Sequence, residues 1–353
     1  MSSLIDSRFQ KVNTEGQGGF SIADLYFDTN LERHVIIKKL QEFSEVDRLL
    51  DEIEALQKGK SKHLVQIYDI IFDEDRPVAI VEEYLPGNDL LNFNHTPSDT
   101  QIYLKVLYQL AKGLSDIHEC EIVHRDFKPN NVKFDSEKIL KIFDFGLAKN
   151  EIPASTVGQI GTPGFMAPEL FWSPPVIDRP VDCYSFGCTA YYLVSKKPPQ
   201  CSLSMPPVAK QSSESINNYI NIDNNELLSL IDQCLEIDPS NRPTMKEIYE
   251  SLKKELLYGK YKATLTFDGK TLELNEIDSG VKVSGGNNDS AVIRYDGYNF
   301  IATEVNGNVY VNNTKIDTNF YFCGSAVITL GHPDLKAFRR YITFDISNPE
   351  VVL

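Results

Sequence analysis

The sequence predicts an α+β chain in two unlike parts: a mixed, two-lobed part of strands and then helices, followed by a separate all-β sandwich. Three observations carry this. Strand-like segments with one helix among them fill the first eighty-odd residues, and helical periodicity runs from Ser98 to Leu257. From Tyr258 on, alternating stretches are punctuated by Asp-Gly and Asn-Gly pairs. A length of 353 residues suits two domains, or one two-lobed domain with a small module. The expected division is 1–257, with lobes at about 8–85 and 86–257, and then 258–353.

The early helix lies in SEVDRLLDEIEALQKG, with Ser44 as cap, Val46, Leu49, Leu50, Ile53 and Leu56 on one face, and Gly59 closing it. The next, PSDTQIYLKVLYQLAKGLSDIHE, has a Ser98-x-x-Gln101 capping box and a stripe of Tyr103, Val106, Leu107, Leu110, Leu114 and Ile117. Further helices are expected in DCYSFGCTAYYLVS, NELLSLIDQCLE and TMKEIYESLKKELL, the last opening on a Thr244-x-x-Glu247 box. Residues 199–225, rich in Pro, Ser and Asn, read as an irregular connection. In the final part KATLTF, KTLEL, YNFIATEV, NVYVNN and AVITL alternate, and Asp268-Gly269, Asp296-Gly297 and Asn306-Gly307 predict hairpins.

Composition narrows the function. Apolar residues at 42% and charged residues at 24% are ordinary for a globular protein. A formal charge of -15 argues against nonspecific nucleic-acid or acidic-membrane binding. No apolar run reaches membrane-span length, and MSSLIDSRF lacks the basic start and apolar core of a signal peptide, so a cytoplasmic protein is expected. The six cysteines form no C-x-x-C pair and read as free thiols, and the six histidines show no metal spacing.

The chemistry concentrates in IVHRDFKPNNVKFDSEKILKIFDFG. Two short strands joined by a polar turn bring Asp126, just before the hairpin, close to Asp144, just after it. Two carboxylates with an amide and an ammonium call for positive charge between them, and Mg²⁺ bridging phosphate oxygens is the natural candidate. Upstream, EGQGGFSIADLYF sets Gly16, Gly18 and Gly19 between strand-like segments, where backbone amides could approach phosphates. Lys38, in the apolar strand HVIIKKL, needs an anionic partner, which Glu52 or Glu54 could supply.

With these residues in view, the chain resembles the eukaryotic-type protein kinases. GQGGFS resembles their Gly-rich loop, VIIK their strand-3 lysine motif, HRDFKPNN their catalytic loop, and DFG and APE stand at Asp144–Gly146 and Ala167–Glu169. The resemblance covers about residues 8–257 and implies a bilobal kinase fold that uses ATP and Mg²⁺. It implies that Lys38 neutralises the nucleotide phosphates, held by Glu52 with Glu54 as the alternative. Asp126 would orient the substrate hydroxyl, Lys128 would meet the γ-phosphate, and Asn131 and Asp144 would hold Mg²⁺. Gly16, Gly18, Gly19 and Ser21 would cover the phosphates, backbone groups at Glu83 and Leu85 would meet adenine, and Asp89 would reach the ribose. Ser21 replaces the usual third glycine and Ala23 the usual Val. Glu82 falls at the family's gatekeeper position; an acid there either pairs with a cation or signals a register one residue off.

Lys128 and GTPGFMAPE resemble serine/threonine-specific members, so Ser/Thr hydroxyls of proteins are the implied acceptors and Thr162 is expected to orient Asp126 and Lys128. Ser155 and Thr156 are the candidate activation-loop phosphoacceptors, with Arg125 as their charge partner. Glu169 and Arg242 resemble the family's buried ion pair, and Asp182 the anchor of its central helix. VYVNNTKIDTNFYFCGSAVITLG with RRYITFDIS resembles the late strands of forkhead-associated (FHA) domains, although SGGNNDS stands where that family has Gly-Arg. Ser290, Asn306 and Asn312 would be the remnants of a phosphopeptide site, and a phosphoprotein or other protein is the implied partner. The competing reading is a pseudokinase or scaffold acting through this module, which would be expected to have lost Lys38, Asp126 or Asp144; all three are present.

Overall fold

The computed structural model describes residues 8–17, 21–40, 46–92, 99–145 and 161–352, and the chain divides into two compact units, one running to Leu252 and the other from Lys253 to Val352. In the first unit β1 (Phe9–Gln17), β2 (Ser21–Asp28), β3 (Arg33–Leu40), β4 (Ile67–Asp73) and β5 (Arg76–Glu83) form one antiparallel sheet in the order β1-β2-β3-β5-β4. Alternation along β3 and β5 gives the sheet two faces. Val35, Ile37, Ala79 and Val81 pack with Phe9 and Tyr26 on one of them. Ile80 packs on the other with Leu49 and Ile53 of helix α1 (Val46–Lys58).

That second face carries the chemistry. Lys38 pairs with Ala23 on β2 and Ile80 on β5, and Glu82 lies two residues along from Ile80, opposite Ile36. On α1, Leu49, Glu52, Ile53 and Leu56 recur at helical spacing and are all buried. Leu50, expected on the same stripe, is 44% exposed because it sits about 100° round the helix from Leu49. Ser44, its expected cap, lies outside the described residues.

Helix α2 (Thr100–Glu119) begins one residue later than its expected capping box: Asp99 is the N-cap and accepts from the Ile102 N–H at 3.1 Å, while Ser98 lies outside the described residues. Its predicted stripe is buried throughout. The chain then forms a turn at Pro129–Asn131 and the hairpin β6 (Val132–Phe134) and β7 (Leu140–Ile142), paired Val132 to Ile142. The hairpin is fastened on several sides. Gln109 of α2 accepts from the Leu140 N–H, and Ile142 exchanges backbone bonds with His63 and Val65 ahead of β4. Gly87 donates to the Phe134 carbonyl so closely that any Cβ on Gly87 would collide with Phe134.

Helices α3 (Pro180–Ser195), α4 (Asn225–Gln233) and α5 (Met245–Leu256) follow. Thr244 and Glu247 make the reciprocal bonds of the expected capping box, and the connection before α4 contains two short turns, Gln200–Leu203 and Ile216–Asn218.

The second unit is all-β. Strands β8 (Ala263–Phe267), β9 (Lys270–Leu274), β10 (Gly280–Ser284), β11 (Ser290–Tyr295), β12 (Phe300–Asn306), β13 (Val309–Val311), β14 (Thr314–Lys315), β15 (Phe320–Phe322), β16 (Ala326–Leu330) and β17 (Arg340–Ile346) make two sheets. One is ordered β10-β11-β12-β15 and the other β14-β13-β16-β17-β8-β9. They share one apolar core that includes Leu265, Ile293, Phe300, Phe322, Ile328, Ile342 and Phe344. Asp268-Gly269 forms the expected two-residue turn, with φ of 48° and 71°. Asp296-Gly297 opens a four-residue connection between β11 and β12, with Asp296 accepting from the Tyr298 and Asn299 N–H groups. Asn306-Gly307, expected to form a hairpin, instead carries the chain from one sheet to the other. Buried Asp289 accepts from the Asn308 N–H at 2.6 Å and lies against Gly307, whose φ is 74°, so a long-range anchor overrides the local turn signal.

Candidate active site

Asp126 is held from several directions. Its Oδ1 accepts from the Thr162 hydroxyl at 2.9 Å and its Oδ2 from the Lys128 ammonium at 2.6 Å. Lys128 also donates to the Thr162 hydroxyl at 2.6 Å, and Asn131 Nδ2 donates to the Asp126 carbonyl at 2.9 Å. The loop that presents them is anchored below: Asp182, at the start of α3, accepts from the His124 and Arg125 N–H groups at 2.7 and 2.8 Å. His118 adds a contact to Asp182 at 2.9 Å that sequence reasoning misses, since its partner is 64 residues away. Burial opposes charge on Asp182, but these donors hold its carboxyl below the usual range. Glu169 and Arg242 make a buried two-pronged ion pair at 2.6 and 2.8 Å.

The second cluster centres on Lys38. Its ammonium donates to both carboxylate oxygens of Glu52, at 2.7 and 2.8 Å, and to Asp144 Oδ1 at 2.9 Å. Glu52 also accepts from the Phe145 N–H at 3.2 Å, which ties α1 to the segment after β7. Glu54 points elsewhere and pairs with Lys58. The reason is helical geometry, which puts Glu52 on the buried stripe and Glu54 about 200° away. Burial disfavours the Lys38 charge, but Glu52 and Asp144 more than offset it and keep it protonated. Lys38 in turn holds the Asp144 carboxyl below the usual range. Arg125 and Asp144 both take left-handed backbone, with φ of 69° and 68°, a strained geometry for residues with side chains that concentrates at functional sites.

The residues expected around the base and sugar are placed as follows. Glu83 donates its N–H to Gln66 and pairs its carboxylate with Lys141 at 3.1 Å, so any contact from Glu83 to a base must come from its carbonyl. The Leu85 side chain is buried, and Asp89 forms an isolated bridge with Lys133 just after the Gly87 contact. Gly16 is the last but one residue of β1, opposite Ala23, and Ser21 opens β2; Gly18, Gly19, Gly146, Ser155 and Thr156 lie outside the described residues. Of the two expectations for Glu82, no ion pair with a cation forms among the described residues: it is 6% exposed and its Oε1 has no hydrogen-bond partner. Lys38, the cation on its face of the sheet, is committed to Glu52 and Asp144.

A hard cation suits what remains. Asn131 uses its amide nitrogen on Asp126, which leaves its side-chain oxygen as an acceptor, and Asp144 is an ionised carboxylate with only Oδ1 bonded to Lys38. A cavity of about 830 Å³ lined by Leu56, Lys60, Val65, Tyr68 and Phe72 involves none of these residues. No helix among the described residues is long and apolar enough to cross a membrane.

The family model for the protein kinase domain matches residues 9–252. The chain belongs to the protein kinase family. Among curated relatives, this kinase is 28% identical to a leaf rust 10 disease-resistance locus receptor-like protein kinase-like 1.1 of Arabidopsis thaliana, over 69% of its own length and 44% of that protein. It is 32% identical to mitogen-activated protein kinase HOG1 of Candida albicans, over 55% and 52% of the two chains. It is 29% identical to serine/threonine-protein kinase cds1 of Schizosaccharomyces pombe, over 69% and 57%. The kinase thus spans about half the length of the relatives it matches. In its second unit, Ser290 is buried and Asn312 uses its side-chain oxygen on the Val327 N–H, so two of the three residues expected at a phosphopeptide site serve the fold.

Proposed function

We propose that this chain is a serine/threonine protein kinase that transfers the γ-phosphate of Mg-ATP to protein hydroxyls. The observation that carries the reading is the Asp126–Thr162–Lys128 triangle standing beside the Lys38–Glu52–Asp144 chain. Asp126 orients the acceptor hydroxyl and takes its proton, and Thr162 keeps that carboxylate aimed. Lys128 carries positive charge toward the transferred phosphoryl group. Lys38, steadied by Glu52, meets the nucleotide phosphates, while Asn131 and Asp144 hold Mg²⁺. The bound metal supplies neutralisation of the phosphate oxygens, and the protein supplies position.

Arg125 supports a further step in regulation. Burial pushes its guanidinium down to about 10, and its Nε and Nη2 have no partners among the described residues, a costly state that a phosphate would relieve. Ser155 and Thr156 are the residues we assign to supply it by autophosphorylation. The C-terminal sandwich we assign to partner docking or regulation, as its likeness to forkhead-associated domains implies.

The test is an in vitro assay with Mg-ATP and protein substrates, comparing the full chain with Asp126→Asn and mapping phosphosites by mass spectrometry. Phosphoserine or phosphothreonine formed only by the unaltered chain is expected. Equal background from both proteins would favour the scaffold reading, and unmodified Ser155 and Thr156 in an active preparation would remove the autophosphorylation step.

A further inference from the structure

Apolar side chains stand exposed close to the acceptor position of the first unit. Thr162, which bonds Asp126, is followed by Pro163 and by Gly164, whose φ is 86°. Gly164 lies flush on the turn Gln200–Leu203. The Ser202 hydroxyl donates to the Gly164 carbonyl at 2.8 Å, and a Cβ on Gly164 would stand 3.0 Å from the Pro198 ring and 3.7 Å from a Leu203 methyl. Leu203 is 51% exposed there, and Met205, two residues on, is 57% exposed. Phe165 continues the apolar surface, with its ring 6.1 Å from that of Tyr192 in the last turn of α3. The Tyr192 hydroxyl in turn lies 3.5 Å from the carbonyl of exposed Leu91.

A single exposed apolar residue is ordinary, whereas a run of them beside a reacting group marks a contact surface. Gly164 is two residues from Thr162, so the Leu203 methyl stands on the order of 10–15 Å from the Asp126 carboxylate, the span of three or four extended residues. A segment that brings its hydroxyl to Asp126 therefore has to cross this surface. We infer that the acceptor segment carries an apolar side chain within three or four residues of the phosphorylated hydroxyl, received by Leu203 and Pro198. This rests on the reading of Asp126 as the residue that receives the hydroxyl, and adds the class of sequence it accepts. The net charge of -15 would by itself favour basic segments. The surroundings of the turn oppose that choice: Lys196 and Lys197, just before Pro198, are both exposed and repel a basic side chain. A charged group laid on Leu203 would also lose hydration without gaining a partner from it. Leu203 is thus a specificity-determining residue for the acceptor.

The experiment is phosphate transfer from Mg-ATP by the full chain to a degenerate peptide library with one central Ser or Thr, each flanking position fixed in turn as Leu, Ala, Arg or Glu. At one or more positions within four residues of the acceptor, Leu is expected to exceed Arg and Glu by about tenfold in kcat/KM. Leu203→Ala is expected to weaken that preference, and Leu203→Arg to replace it with a preference for Glu at the same position, both with the KM for ATP unaltered. An unaltered protein that takes Arg or Glu as readily as Leu at every position would overturn this inference alone. So would a preference for Leu that both variants retain. Failure of the unaltered protein to phosphorylate any member of the library would instead sink the kinase reading and this inference with it.

Discussion

Around Lys38 and Asp126 the first unit buries Glu52, Glu82, Arg125 and Asn131, and farther out Glu169, Asp182 and Arg242, whereas the buried polar side chains of the C-terminal sandwich, among the described residues, are Asp289, Ser290 and Thr329. The first unit therefore holds many charges out of water, and most of them have a partner fixed opposite; Glu82 Oε1 and the Arg125 Nε and Nη2 are exceptions among the described residues. The second is held by apolar packing, with Phe344 in contact with Phe300 and Phe322 at ring separations of 5.7 and 4.3 Å. The contrast separates a unit organised to place charge from one organised to be a rigid sandwich. Recognition by the sandwich would have to use its surface.

The comparison can be broken most severely at Asp126. Asp126→Asn is expected to lower phosphoryl transfer by about 10²–10⁴-fold with the thermal transition retained, read by a single-turnover assay beside calorimetry. A comparable loss of fold would mean that the residue serves stability instead. Next in size are two stability changes with opposite causes. Arg242→Ala leaves Glu169 charged and unpaired in the interior and is expected to cost about 3–5 kcal/mol. Phe344→Ala removes a fully buried ring from the sandwich and is expected to cost about 3–5 kcal/mol through the cavity it leaves. Hydrogen exchange should place the first loss within 99–252 and the second within 263–346; the reverse would undo the contrast.

A smaller effect follows from Glu82. Its carboxyl is raised to about 8, so between the ordinary carboxylate range and that value the folded chain keeps a proton that the unfolded chain releases, and stability falls as pH rises across this window. Glu82→Met removes this dependence. The variant is expected to gain roughly 2–3 kcal/mol on the unaltered protein between pH 5.5 and pH 8, measured by denaturant titration at both. An unchanged difference would show that the carboxyl is not protonated in the fold. The smallest change is at a helix end: Asp99→Ala is expected to cost about 1 kcal/mol, while any change at Ser98 would leave the α2 cap intact.

Much of this was legible in the residues themselves. The β6–β7 hairpin between Asp126 and Asp144, the stripe of α2 and the Thr244 box depend on neighbours a few residues apart, and such signals survive without knowledge of the fold. The choice of Glu52 over Glu54 was also within reach, because Glu52 continues the Leu49–Ile53–Leu56 stripe. Other features were not. The α2 cap fell on Asp99, Asn306-Gly307 changed sheets under the pull of Asp289, and His118 met Asp182 across 64 residues.

By itself the sequence determined which residues carry charge, their order along the chain and the local elements that hold them, because helix and strand periodicity and turn chemistry act over short distances. Tertiary structure alone decided that Asp144 joins Glu52 on the Lys38 ammonium, that the His118 ring meets Asp182, and that Glu82 is buried without a partner for Oε1. Those outcomes depend on strand register and on the rotation of α1 against the sheet, and a shift of one residue in either would turn a buried, paired charge toward water.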